Sequence, residues 1–314
     1  MLYLVTGGAG FIGSHLVEAL LSQGCEVRVY DNFSTGQEGN LDGLYQVDGK
    51  LDVIHGDIRD SRRLANAMAG TDGVFHMAAM VSVPGSIERP DESFDTNSRG
   101  TQLVLNEARK LGICRVVLSS SAAVYGDSQN VPLKESEETA PLSPYGLDKL
   151  NGERLGALYS SLYGMNVTCL RFFNVFGPRQ LPDSSYSGVI SIFSRKISLR
   201  QPATIYGQGD QVRDFVFVKD VANALILSMQ SSLAGFQVYN VGSGTAISIR
   251  ELWMCCETIA QVKIPPDYQP SRIGDIKKSL ADIGKISNDL AFSPSLNFMQ
   301  NLLETYRWSL ACNR

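Results

Sequence analysis

The chain has 314 residues, 44% of them hydrophobic and 19% charged, with 28 basic against 32 acidic side chains. A net charge of −4 and a pI of about 5.5 leave no basic surface for nucleic acid or an anionic membrane. Any phosphate in a ligand must then be held locally, by a helix end or a few arginines. The length allows about two domains or one large α/β unit.

The six cysteines (Cys25, Cys114, Cys169, Cys255, Cys256, Cys312) make no C-x-x-C motif and no cluster with histidine at metal-ligand spacing. They read as reduced structural thiols, so a cytoplasmic protein without a metal centre is expected. The first apolar run starts at Leu2 and meets glycines at once, unlike a signal peptide. No apolar stretch is long enough to span a bilayer, so no membrane partner is expected.

In chain order, Leu2–Thr6 reads as a buried strand and Phe11–Ser22 as a helix. Glu26–Asp31 is a second strand and Asp52–Ile54 a short third one. A helix is predicted near Ser61–Ala69 and a strand at Gly73–Met77. A long helix over about Asp91–Leu111 leads to a strand at Arg115–Ser119. Tyr145–Tyr163 is predicted helical and Asn166–Phe172 extended. From Asn174 the pattern loosens, and Phe176–Tyr186 is a long loop rich in turn residues. A helix at Val189–Leu199 follows, then strands at Val212–Val218 and Phe236–Val241 around a helix near Val221–Ser231. Strands alternating with helices imply an α/β fold, a parallel sheet covered on both faces.

Thr6-Gly7-Gly8-Ala9-Gly10-Phe11-Ile12-Gly13 sits between the first strand and the first helix. Its glycines permit a tight turn and close approach of backbone to a pyrophosphate, which the helix N-terminus would receive. This predicts a Rossmann-type, doubly wound dinucleotide-binding domain, with a smaller C-terminal α/β domain for substrate. The expected boundaries are 1–173 plus about 212–241 for the first, and 174–211 with 242–314 for the second. Asp31 ends the second strand, where a carboxylate takes ribose hydroxyls and repels a 2′-phosphate. No Arg follows in Asn32-Phe-Ser-Thr-Gly36, which favours NAD over NADP.

Tyr145 and Lys149 share one helix face at i and i+4. A nearby ammonium favours the phenolate and would make the tyrosine a usable base. Among twelve Tyr and ten Lys, chance supplies ~0.4 such pairs, so the spacing gains its meaning from the cofactor loop.

These residues resemble the extended short-chain dehydrogenase/reductase family, and within it the nucleotide-sugar 4-epimerases, over nearly the whole chain. Thr6–Gly13 is similar to its cofactor loop, Gly56-Asp57-Ile58 to its adenine-side strand end, and His76-Met77-Ala78-Ala79 to the segment under the cofactor. Ser119-Ser120-Ser121-Ala-Ala-Val-Tyr125-Gly126 followed by Tyr145-x-x-x-Lys149 resembles its catalytic pattern. Arg171-Phe-Phe173-Asn174-Val-Phe-Gly177-Pro178, Gly207–Phe215 and Arg272-Ile-Gly274-Asp275 resemble its three diphosphate-side stretches.

The resemblance implies an NAD site of Gly7, Gly10, Phe11, Ile12, Gly13, Asp31, Asn32, Ser34, Gly36, Asp57, Ile58, Met77, Ala78, Ala79, Asn97, Ser119 and Phe172, with Tyr145 and Lys149. Tyr145 would take the sugar 4-OH proton, Lys149 would hold the nicotinamide ribose and lower the tyrosine pKa, and Ser121 would bond the 4-oxygen. Asn174, Arg213 and Arg272 would grip the diphosphate of a UDP-sugar, arginine being a fork suited to phosphate oxygens. Ser82, Gly188, Val189, Tyr206, Asp275 and Ser279 would complete the substrate site.

The expected reaction passes through a transient 4-keto sugar and returns it as the 4-epimer. Related dehydratases and decarboxylases resemble Thr-Asp-Glu or Thr-Ser-Glu at the catalytic hydroxyl. Ser121-Ala122-Ala123 stands here, and alanine neither gives nor takes a proton. Ser279, four residues after Gly274-Asp275, is small where a bulky aromatic resembles enzymes restricted to non-acetylated hexoses. Together with Ala78–Ser86 this leans to UDP-GlcNAc/UDP-GalNAc, with UDP-Glc/UDP-Gal also admitted. UDP-glucuronate stays open, as does a nucleotide-sugar dehydratase or reductase on the same scaffold. A non-catalytic dinucleotide sensor would have no use for Tyr145 and Lys149. His15, His55 and His76 match no metal spacing and read as packing or surface residues. Tyr125 reads as packing under the cofactor, and Trp253 and Trp308 as anchors of core helices. Apolar faces on the helices at Asp91–Leu111 and Tyr145–Tyr163 lead to the expectation of a homodimer.

Overall fold

A computed structural model describes residues 1–44, 50–182, 188–271 and 276–312. The chain runs β1 (Leu2–Thr6), α1 (Phe11–Ser22), β2 (Glu26–Asp31), β3 (Leu51–His55), α2 (Ser61–Met68), β4 (Gly73–His76), α3 (Val83–Glu88), α4 (Pro90–Ser93), α5 (Gly100–Lys110), β5 (Arg115–Ser121), α6 (Pro144–Tyr163) and β6 (Asn166–Phe172). It continues through β7 (Asn174–Phe176), α7 (Val189–Ser198), β8 (Thr204–Tyr206), β9 (Val212–Phe217), α8 (Val218–Gln230), β10 (Phe236–Val241), β11 (Ala246–Ser248), α9 (Ile249–Ala260), β12 (Asp267–Gln269), β13 (Lys278–Ser279), α10 (Gly284–Leu290) and α11 (Phe298–Cys312).

Seven strands form one parallel sheet in the order β10-β6-β5-β4-β1-β2-β3. The stretches Leu2–Val5 of β1 and Val116–Leu118 of β5 are apolar without alternation because both faces are covered. On one face α1 and α8 bring Leu16, Leu20, Val221 and Leu225 against Val5, Val29 and Phe75. On the other, Leu64, Leu105 and Tyr159 meet Leu4, Val74 and Val167. This is the doubly wound fold, and the strand order reverses between β1 and β4, the switch point where such sheets bind ligands.

A second layer is built from β11, β9 and β13, with β7 also paired to β9, and from the pair β8–β12. Helices α7, α9 and α11 bury Phe193, Leu252, Trp253 and Leu302 against Phe176, Phe215 and Phe217. Phe11 and Ile12 of the glycine-loop helix pack on the same cluster, so the two layers share a boundary at that helix. Trp253 donates to the Ile264 carbonyl at 2.8 Å, and Trp308 is half-buried. Among the described residues no helix is long and apolar enough to cross a membrane.

Three elements differ from the sequence expectation. The strand beginning at Val212 was expected beside the large sheet, but β9 lies in the small one and only β10 joins the large one. The reason is β7, which leaves β6 after Phe173 and pairs with β9 through Asn174 and Phe215. The helix expected near Val221 begins earlier, at Val218, with Asp220 in its first turn. The helix expected over Asp91–Leu111 starts at Pro90 and is widened by a π-turn at Phe94–Arg99. That wider turn sets Ser93 and Ser98 on one side, and both hydroxyls donate to Asp148 of α6 at 2.6 Å.

The histidines are packing residues where they are buried. His15 Nε2 donates to the Pro178 carbonyl at 2.9 Å, tying α1 to the loop after β7. His76 lies between Thr6 Oγ1 at 2.8 Å and Thr101 Oγ1 at 3.0 Å. His55 is exposed and stacks on Phe33, with ring centroids 5.7 Å apart. Burial lowers His15 to about 4; burial, and then the charge of Lys149, lower His76 to about 3. Between those values and 6.5 the unfolded chain binds more protons than the folded one, so stability falls as pH drops through this window. The combined slope is at most about 2.7 kcal/mol per pH unit. His15→Gln keeps a donor but removes one titration, and should flatten the loss. Urea unfolding at pH 7 and pH 5 checks this; equal losses in both proteins would contradict it.

Candidate active site

The chain leaves β1 at Thr6 and turns through Gly7, whose φ is +69°. A Cβ on Gly7 would lie 2.6 Å from the Ala78 nitrogen, so the loops after β1 and β4 touch only because this residue is glycine. A Cβ on Gly13 would collide with the Gly7 carbonyl. Gly10 caps α1 without a side-chain bond, leaving the first-turn N–H groups of Phe11, Ile12 and Gly13 facing the switch-point crevice for a pyrophosphate.

Asp31 is buried at the end of β2 and accepts from Ala9 N at 2.9 Å and Phe33 N at 2.8 Å. Burial raises its pKa and these two N–H bonds oppose the rise. Each oxygen keeps a lone pair for a ribose hydroxyl. Gly36 lies against the carboxylate, while Asn32 bonds Asp57 at 2.9 Å and its own oxygen accepts from Ser34 N at 3.0 Å. The Arg59 guanidinium beside Asp57, 2.7 Å away, holds that carboxyl well below the usual range. Met77, Ala78 and Ala79 are partly buried after β4 and form the floor. Asn97 accepts from Met80 N at 2.8 Å and donates to Met80 O at 3.0 Å, so it shapes the loop after β4. Ile58 and Phe172 sit in the two cores and back the site from within the fold. The set of residues present fits a dinucleotide.

Helix α6 starts at Pro144, capped by Ser143, whose Oγ accepts from Gly146 N at 3.1 Å. Tyr145 follows, and its N–H bonds Ser86 Oγ of α3 at 3.1 Å. One turn on, Lys149 Nζ donates to Ser119 O at 3.0 Å and to Ser119 Oγ at 3.2 Å, at the end of β5. The ammonium is 5.8 Å from the Tyr145 ring centroid. Ser121 stands by the Tyr145 hydroxyl and opposes the rise of its pKa, and the Ser121 Oγ accepts from Ala123 N at 3.1 Å. The structure thus brings Ser119, Ser121, Tyr145 and Lys149 to one place.

One electrostatic expectation is corrected. Lys149 was expected to lower the tyrosine pKa, yet burial raises Tyr145 and only its bond to Ser121 opposes this. The ammonium is turned to Ser119, and loss of hydration brings Lys149 itself down to about 8.

A buried polar network lies behind this set, and sequence reasoning missed it. Ser120 Oγ donates to Glu153 at 2.5 Å, and Glu153 pairs with Arg171 at 2.7 Å. Arg171 also donates to the Tyr125 hydroxyl at 2.9 Å, which donates to Asn240 at 2.6 Å. Tyr125 is therefore a member of this network and not mere packing under the cofactor. One signal was available: Glu153 follows Lys149 by one helical turn on α6.

On the substrate side, Asn174 of β7 donates to the Asp214 carbonyl at 3.0 Å. Arg213 of β9 pairs with Ser279 of β13, which is partly buried. Gly188 caps α7, Val189 begins it, and Tyr206 ends β8. Ser82 is buried as the cap of α3, accepting from Gly85 N at 2.6 Å. Arg272 and Asp275 lie outside the described residues.

Residues 3–242 match the NAD dependent epimerase/dehydratase family. The UDP-glucose 4-epimerase of Mycolicibacterium smegmatis is 34% identical over 305 residues, 96% of each chain. The fold matches the UDP-N-acetylglucosamine 4-epimerase of Methanobrevibacter ruminantium, solved with UDP-N-acetylmuramic acid, at a TM-score of 0.94 and 38% identity over 99% of this chain and 98% of that one. It also matches the Thermus thermophilus UDP-glucose 4-epimerase solved with NAD, at a TM-score of 0.88 and 34% identity over 98% and 99% of the two chains. The chain therefore belongs to the NAD-dependent epimerase/dehydratase family, in its nucleotide-sugar 4-epimerase branch, and NAD is its cofactor.

Proposed function

We propose that the chain interconverts UDP-N-acetylglucosamine and UDP-N-acetylgalactosamine by inversion at C4, and that it does so as a homodimer. The observation that carries the sugar choice is Ser279, a small side chain paired with Arg213 at the rim of the small sheet. A hydroxymethyl group takes little of the space an acetamido group needs. UDP-glucose and UDP-galactose are smaller and fit the same opening. Arg213 and Asn174 supply the fork and the amide for a diphosphate, and Arg272 is the third proposed contact. The homodimer is supported by an apolar stripe on α6, where Leu147, Leu158 and Leu162 are 47%, 50% and 61% exposed, and by Phe94 at 56%.

When bound, NAD supplies hydride acceptance from C4 and its return. The residues govern the proton. Tyr145 takes the 4-OH proton and later gives it back, and Ser121, beside the phenol, donates its hydroxyl to steady the 4-oxygen. Lys149, fixed on Ser119, is placed to hold a ribose hydroxyl. Ala122 and Ala123 offer no acid or base for elimination at C5–C6, so the 4-keto sugar has no evident fate except reduction.

Tyr145→Phe should lower turnover by about 10³-fold or more while purified protein still carries NAD. Unchanged turnover would remove Tyr145 from the mechanism. Ser121→Ala deletes the bond that opposes the burial-raised tyrosine pKa, so that pKa rises further and less phenolate exists at pH 7. The ascending limb of kcat against pH should move to higher pH; an unmoved limb would show that Ser121 does not set the ionisation. Ser279→Tyr should suppress turnover of the acetylated pair and spare UDP-glucose. Incubation with a panel of UDP-sugars, read by product stereochemistry, tests the sugar assignment. Turnover of UDP-glucose alone by the wild type would sink it.

A further inference from the structure

Asp214 is fully buried, yet it is the neighbour of Arg213 on β9 and no step of the proposed mechanism uses it. Its carboxylate accepts four hydrogen bonds. Ser243 donates from N at 2.6 Å and from Oγ at 2.7 Å, Gly244 N donates at 3.0 Å, and Ala281 N donates at 3.1 Å. Its own carbonyl accepts from Asn174 Nδ2 at 3.0 Å. Three segments distant in sequence thus converge on one residue: β7 with Asn174, the turn after β10, and the strand that carries Ser279 two residues before Ala281. The backbone is shaped for it, since a Cβ on Gly242 would lie 2.6 Å from Asp214 Oδ2. Gly244 has a φ of +70°, which turns its N–H back onto the carboxylate.

We propose that Asp214 is a positioning residue that sets Asn174, Arg213 and Ser279 in mutual register, joining the grip on the diphosphate to the limit on the sugar. Successive side chains on a strand point to opposite faces, so Arg213 can face a ligand while Asp214 is bolted into the fold behind it. An oxygen on this carbon is needed at both positions, because each carboxylate oxygen receives two donors. An amide presents N–H to one pair of them and leaves buried donors unmet.

The inference rests on the UDP-sugar reading, and binding of UDP alone tests both separately. In Asp214→Asn the Kd for UDP should rise about 10-fold or more, the scale of a buried donor left without its acceptor. The NAD content of the purified protein should stay at the wild-type level, because the cofactor cradle lies on the other sheet. Ser243 is only half-buried, so Ser243→Ala should fold and weaken UDP by about 3–10-fold. Ser243→Thr restores the hydroxyl donor and should restore binding. Titration calorimetry with UDP and a thermal melt on each protein are the measurements. A lowered melting temperature with an unchanged UDP Kd in Ser243→Ala would make Asp214 merely structural and overturn the proposal. Failure of the wild type to bind UDP would overturn the UDP-sugar reading beneath it.

Discussion

The buried pair of Glu153 with Arg171 holds α6 to the sheet. Glu153 lies on α6 and Arg171 on β6, and Ser120 of β5 bonds the same carboxylate. Removing one partner of such a pair leaves a charge without compensation and typically costs about 3–5 kcal/mol. Fixing α6 here places Lys149, one turn earlier, against Ser119, and Tyr145, two turns earlier, against Ser121. The network then runs on through Tyr125 to Asn240 of β10. Three parallel strands and the helix are locked by side-chain polar contacts as well as by packing.

The same division recurs elsewhere. Asp148, also on α6, receives two serine hydroxyls across the π-turn, and Asn97 in that turn clasps Met80 in the loop after β4. Behind the substrate residues Asp214 gathers three segments. In each case a buried acid or amide is satisfied by hydrogen-bond partners from other segments, as burial in low dielectric demands.

Much of this was readable along the chain. The parallel sheet followed from alternating apolar runs and helical patterns, because a strand covered on both faces is rich in apolar residues without alternation. The glycine loop was legible because φ, Cβ clash and helix-end N–H groups are local properties. Tyr145 and Lys149 were legible because a helix fixes i and i+4 on one face. Placement of β9 was not, since a short strand carries no mark of which sheet it joins. The π-turn was hidden because the carboxylate that Ser93 and Ser98 share across it lies some fifty residues away.

The sequence by itself determined the fold class, from the alternation of strands and helices, and the glycine loop and the Tyr145/Lys149 pairing, from spacing within one turn or one helix. Tertiary structure alone decided the charge environment of Tyr145. Desolvation depends on what surrounds a group from every side, and here it raises the phenol and sends the lysine to Ser119. Tertiary structure also decided which acids support the site, because Glu153, Asp148 and Asp214 look like any surface carboxylate until the chain folds and supplies their donors.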